Sequence, residues 1–162
     1  MVESKFKIWT LSAIFSGIFL CIVCLLFLII SGISDLPLFA SIPILLLFLF
    51  ILIWLVYGEL RTKAIKVKIN SNNVNVKNFM GMGSGKDYGF KEFDGYRISI
   101  LPSEYREYEY LYLFIGQKKV IKISQFYHSN YDELKRLLTS KTKNLGEEPF
   151  SIIREIKEIC SE

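Results

Sequence analysis

The hydrophobic pattern of the chain changes character once. From Ile8 to Ile30, and again from Leu36 to Gly58, residues are apolar on all sides; beyond about Ala64, apolar and polar positions alternate. Each apolar run is about 23 residues, roughly 34 Å as a helix, slightly longer than a hydrocarbon core of roughly 30 Å. Only a helix satisfies its own backbone in lipid, so both runs are predicted to span a membrane. Ser31-Gly32-Ile33-Ser34-Asp35 joins them in a tight hairpin, with Asp35 as N-cap ahead of Pro37 in the next first turn. Pro43 lies deeper and predicts a kink. Trp9 at one end, with Trp54 and Tyr57 at the return, read as interfacial aromatics.

After Ala64 the period is that of half-buried strands. Ile65, Val67 and Ile69 alternate with Lys66, Lys68 and Asn70; Ser71-Asn72-Asn73 turns the chain and Val74 to Phe79 alternates again. A glycine-rich loop, Met80 to Gly85, precedes a short strand at Lys86 to Gly89, and Asp94-Gly95 turns into Tyr96 to Leu101. Tyr108 to Ile115 is apolar or aromatic on both faces and belongs mid-sheet, and Lys118 to Ser124 returns after Gly116-Gln117. Asn130 then starts a helix, with Glu133 able to bond back; Tyr131, Leu134, Leu137 and Leu138 form its apolar stripe and Lys141 and Lys143 suit its end. Pro149 to Glu162 repeats the helical signal through Ile152, Ile153, Ile156 and Ile159.

Short antiparallel strands followed by one amphipathic helix resemble the pleckstrin-homology superfold, a bent seven-stranded sandwich capped by that helix, over about Ala64 to Lys143. Phe90-Lys91-Glu92-Phe93-Asp94-Gly95-Tyr96 and Phe126 to Leu134 also look like bacterial membrane proteins carrying such a domain after a two-helix hairpin. The expected fold is therefore an α+β membrane protein. Residues 1–63 form the hairpin, residues 64–143 a pleckstrin-homology-like antiparallel sandwich or barrel with its capping helix, and residues 144–162 an amphipathic helical tail. The resemblance implies binding or scaffolding without catalysis and supplies no ligand.

Composition agrees with the pattern, since 51 % of residues are apolar and 22 % charged, a surplus too large for an ordinary soluble domain. Charge adds orientation. Lys5 and Lys7 precede the first run, Arg61, Lys63, Lys66 and Lys68 follow the second, and the loop between carries no basic residue. Both termini are therefore expected in the cytoplasm, with the protein in the inner membrane and Lys5, Lys7, Arg61, Lys63 and Lys66 against its surface. A cleavable signal peptide is the rival reading of the first run, but the run is longer than a signal core and no small-residue cleavage site follows. Residues 64–162 hold 16 Lys or Arg against 13 Asp or Glu, a balance too mixed for a nucleic-acid surface.

Candidate chemistry is sparse. Cys21 and Cys24 form a C-x-x-C, but inside an apolar helix they read as small hydrophobes, and Cys160 reads as a free thiol. Ala13 and Gly17, beside Ser12 and Ser16, permit close helix approach, first of all by the protein's own second helix. Gly81-Met82-Gly83-Ser84-Gly85-Lys86-Asp87 misses the phosphate-loop spacing and puts Asp where Ser or Thr is needed. His128, the single histidine, sits among aromatics and reads as packed rather than as a ligand. Glu92 and Asp94, and the acids Glu104, Glu107 and Glu109, lack a nucleophile or base beside them. No catalytic residue, metal or cofactor is expected. A phosphoinositide site between the first two strands, which the resemblance suggests, would need Lys66, Lys68 and Lys77, yet Ser71-Asn72-Asn73 is not basic and its turn faces away from the bilayer.

The leading expectation is a tethered domain that raises the local concentration of a protein partner at the membrane. Arg97, Tyr105, Arg106 and Tyr108 are its candidate contacts, because aromatics and Arg concentrate at binding hot spots. An accessory or immunity-type subunit of a larger membrane complex, and an anionic-lipid sensor, are the alternatives. A second copy of the chain remains open as a partner.

Overall fold

The computed structural model describes residues 1–31, 38–101 and 107–151. Asp35 and Pro37, Tyr105 and Arg106, Cys160, and the four isoleucines of the expected tail helix lie outside them.

Helix α1 runs Ile8–Ser31 and α2 Leu38–Ile53, and α2 continues through wider π-type turns over Trp54–Arg61. Two spans of 23 residues, Ile8–Ile30 and Phe39–Arg61, are long and apolar enough to cross a membrane. The second ends three residues beyond the charge-free run, because the helix carries Glu59, Leu60 and Arg61 with it. Phe19, Phe27, Phe39 and Phe50 are each more than 60 % exposed, an outward apolar surface suited to lipid rather than to water. Pro43 is accommodated within α2. Gly17 faces Leu55, whose Cδ1 would lie 3.3 Å from an added Cβ, so the small-residue face receives the protein's own second helix.

Two four-stranded sheets follow. The first has the order β1-β2-β3-β4, with β1 Val2–Glu3, β2 Lys66–Ile69, β3 Asn73–Lys77 and β4 Gly85–Gly89, all antiparallel. The second has the order β7-β6-β5-β8, with β5 Gly95–Leu101, β6 Tyr108–Ile115, β7 Lys118–Ser124 and β8 Asn144–Glu147. As its two-sided apolar pattern predicts, β6 lies between neighbours. Helix α3, Tyr131–Thr139, closes the core with Tyr131, Leu134 and Leu138 against Val67, Val74, Leu111, Leu113, Ile121 and Ile123.

Three features depart from the pattern's expectations. Residues 2–6 are not a leader to the hairpin; β1 pairs with β2, Ser4 N–H donates to Val67 O at 2.8 Å, and Phe6 bridges His128. The helical hairpin is thus inserted between two paired strands of the first sheet. Asn144–Glu147 forms a strand rather than the start of a helical tail, and it runs parallel to β5, so the second sheet is mixed where an all-antiparallel one was expected. The reason is local: β5 otherwise offers an unpaired edge, and Gly95 lets the returning chain close in, since a Cβ there would sit 2.2 Å from Lys143 O. Asn130 does not cap α3 through its side chain; Oδ1 accepts from Lys5 N–H at 2.8 Å and Nδ2 donates to Glu3 O at 3.0 Å. It ties the N-terminal strand to the helix instead.

Candidate functional site

Among the described residues, the root of the hairpin is densely bonded: there the β7–α3 connection, Gln125 to Asn130, meets both long apolar helices. Lys7 N–H donates to Tyr127 O at 2.8 Å, Lys7 Nζ to Gln125 O at 2.7 Å, and Thr10 Oγ1 to Phe126 O at 3.1 Å. Trp9 and Tyr108 pack edge-on to the Phe126 ring at 5.0 and 5.1 Å. From the other helix, Glu59 accepts a hydrogen bond from Tyr127 Oη and pairs with Lys63 at 2.7 Å. Burial, with the Glu59 charge beside it, pushes the Tyr127 hydroxyl far above the ordinary tyrosine range, so it stays a proton donor to Glu59. Removing that hydroxyl in Tyr127→Phe should cost about 1.5–3 kcal/mol, the usual worth of a bond to a charged group. Thermal unfolding of the detergent-solubilised protein measures it, and an unchanged midpoint would mean the latch carries no load.

His128, next in sequence, is buried with Nδ1 2.9 Å from Ser124 O and Nε2 2.9 Å from Ile65 O. As expected it is packed. It packs β7 against the segment leaving the second apolar helix, donating its one N–H to Ser124 O or Ile65 O, a task with no signature in the sequence because both neighbours are backbone carbonyls.

Of the anticipated contact residues, Arg97 and Tyr108 lie within the described residues. Arg97 Nη1 is held by Glu148 at 2.7 Å and its guanidinium lies 5.0 Å from the Phe114 ring centroid. Tyr108 is half-buried between Phe126 and Lys7. Arg97 and Tyr108 stand four ladder positions apart along β5, about 13 Å. Tyr105 and Arg106 lie outside the described residues. Of the cations expected at the membrane surface, Lys7 and Lys63 are engaged at the root as above, and Lys66 pairs with Glu3 at 2.6 Å. Lys66 holds the Glu3 carboxyl below its ordinary range. Lys5 keeps an exposed side chain, and Arg61 lines a cleft.

That cleft, about 310 Å³, opens where the edge strands β4 and β7 of the two sheets fail to pair, and its wall includes Arg61, Asn78, Ser84, Lys86, Tyr88, Lys118 and Lys119. Among the described residues no Asp or Glu lines it. Lys86 and Lys118 escaped sequence reasoning because they belong to different sheets and sit 32 residues apart. Among the described residues no group of His, Cys, Asp or Glu is placed to hold a metal ion.

The chain matches no protein-family model, no curated protein and no solved structure. Its function is therefore argued from the geometry alone.

Proposed function

We propose that the protein is a non-catalytic, membrane-anchored binding module whose pleckstrin-homology-like domain captures a protein partner at the cytoplasmic face of the inner membrane. The observation that carries this reading is the clamp at the hairpin root. The domain does not hang from a flexible linker: it is bonded to both membrane helices, and β1 and β2 leave and re-enter the same sheet on either side of the hairpin. A clamped domain has a defined orientation to the bilayer, which a tether for partner capture exploits because it restricts the partner's search to one geometry. The likeness to the pleckstrin-homology superfold is supported by the strand count. Seven strands precede α3 once β1 is included, and two sheets share one core.

Exchange of residues 19–57 for an unrelated two-helix hairpin, with the root retained, tests the reading. In-membrane cross-linking followed by mass spectrometry should recover the same partner from the native and exchanged proteins. Loss of the partner with the native hairpin would instead favour a subunit whose interaction surface is the membrane segment itself.

A further inference from the structure

The cleft between β4 and β7 has the composition of an anion site. Lys86 faces Val76 across the β3–β4 ladder, on the side of the strand that carries core residues, so an ammonium group hangs over the gap between the sheets instead of pointing outward. Lys118 begins β7 on the opposite rim, and Arg61 closes one end. Lys119 is already committed, 3.6 Å from Glu148 and 4.2 Å from the Tyr112 ring centroid. Arg61, Lys86 and Lys118 form no ion pair among the described residues. One inward lysine is enough to guard a sheet edge against unwanted pairing; three unneutralised cations with Asn78, Ser84 and Tyr88 as neutral hydrogen-bonding groups are more than that task requires.

The position of the cleft is equally informative. Arg61 is the last residue of the second membrane-length span. Asn78 and Ser84 flank a short loop in which Phe79 and Met80 pack against Ile14, Leu60, Ala64 and Tyr127 at the hairpin root, while Met82 is 80 % exposed. An exposed Met beside a cationic cleft, on a loop seated against the membrane helices, suits the boundary where headgroup phosphates lie. This is the end of the first sheet opposite the Ser71-Asn72-Asn73 turn, since Lys77 pairs with Gly85 and Asn73 with Gly89.

We propose that the cleft binds a phosphate group through Arg61, Lys86 and Lys118, supplied either by the headgroup of an anionic lipid or by a soluble phosphate ester. Arg61 offers a planar fork to two phosphate oxygens and the two lysines act as point charges. The site is independent of the proposed protein-partner role; only its lipid form rests on the hairpin lying in a bilayer.

The test uses the full-length chain. In neutral detergent, inorganic phosphate and glycerol 3-phosphate are titrated; in nanodiscs of phosphatidylcholine with about one lipid in five replaced by phosphatidylglycerol, lipid retained on the released protein is counted by native mass spectrometry. Each cation removed should weaken binding about fivefold, in K86Q and K118Q singly and cumulatively in the triple variant with R61Q. A second triple, K91Q with R136Q and K143Q, removes equal charge away from the cleft and should behave as the native protein. Phosphate binding in detergent that the cleft variants lose assigns a soluble ester. Selective phosphatidylglycerol retention that they lose, with no phosphate binding, assigns a lipid headgroup. Binding of neither, or equal weakening by both triples, overturns the proposal. The single variants alter exposed side chains, so they report even if the triple fails to fold.

Discussion

Replacing Ser4 by proline should destabilise the protein by about 4 kcal/mol, because it orphans both polar groups of one buried peptide position. Ser4 N–H donates to Val67 O at 2.8 Å, and Ser4 Oγ accepts from Val67 N–H at 2.9 Å. Val67 is fully buried and Ser4 is 5 % exposed, so water does not replace either bond. Proline removes the donor and the hydroxyl together, at about 1–3 kcal/mol for each group left unpaired. Ser4→Ala, which loses only the hydroxyl, should cost roughly half as much. Thermal or denaturant unfolding in mild detergent measures the pair, and hydrogen exchange at the Val67 amide locates the damage. If proline cost less than about 1 kcal/mol, the N-terminal strand would be an accessory to the domain and not part of its fold.

His128→Ala should be comparably severe, at about 3–5 kcal/mol, from a cavity where the ring stood and the loss of the one hydrogen bond that a neutral ring can donate to Ser124 O or Ile65 O. The same residue imposes a pH dependence. Burial pushes its pKa below the ordinary 6.5, the two carbonyls pull it partly back, and the Lys7 cation pushes it down again. The folded-state value is therefore the lower one. Above about pH 6.5 the ring is neutral in both states and its stabilisation is complete; as the pH falls, the unfolded chain takes up the proton first, and stability drops until the lowered folded-state value is passed. The slope is at most about 1.4 kcal/mol per pH unit. Unfolding measured at neutral and mildly acidic pH should show this loss in the native protein and a shallower one in His128→Gln, which has no ring to titrate. Equal slopes in the two would mean that His128 does not titrate differently on folding.

The elements that were legible are those whose signal is local. The strands β2 to β7 and helix α3 were read within a residue or two in most cases, because alternation and an apolar stripe directly reflect which side of the backbone meets the core. The charge-free runs were equally plain. What was missed is short and non-local. Val2 and Glu3 are too few to show a period, and they become a strand only because Val67 and Ile69 return beside them after the entire hairpin. Asn144–Glu147 contains one apolar residue, Leu145, and owes its strand to the open edge of β5. Asn130 has the residue type of an N-cap, yet its amide went to the Glu3 and Lys5 backbone, which a sequence pattern does not show to be within reach.

The candidate site divides the same way. Arg61 was anticipated as a membrane-proximal charge, whereas Lys86 and Lys118 looked like ordinary solvated residues of two separate strands. Arg97 and Tyr108 were chosen for their chemistry, and what the sequence did not show is that Arg97 bonds Glu148 and Tyr108 packs edge-on to Phe126.

Which segments are apolar enough to leave water, which alternate, and where charge brackets the hairpin follow from the order of residues alone, since burial preference and period are properties of neighbouring residues. That the hairpin interrupts a sheet, that Glu59, Tyr127 and His128 fasten the domain to it, and that three distant cations share one cleft emerge only when the chain is folded. Those outcomes depend on which backbone groups still lack partners once the core has closed, and hydrogen-bond satisfaction is settled across the whole fold rather than along the chain.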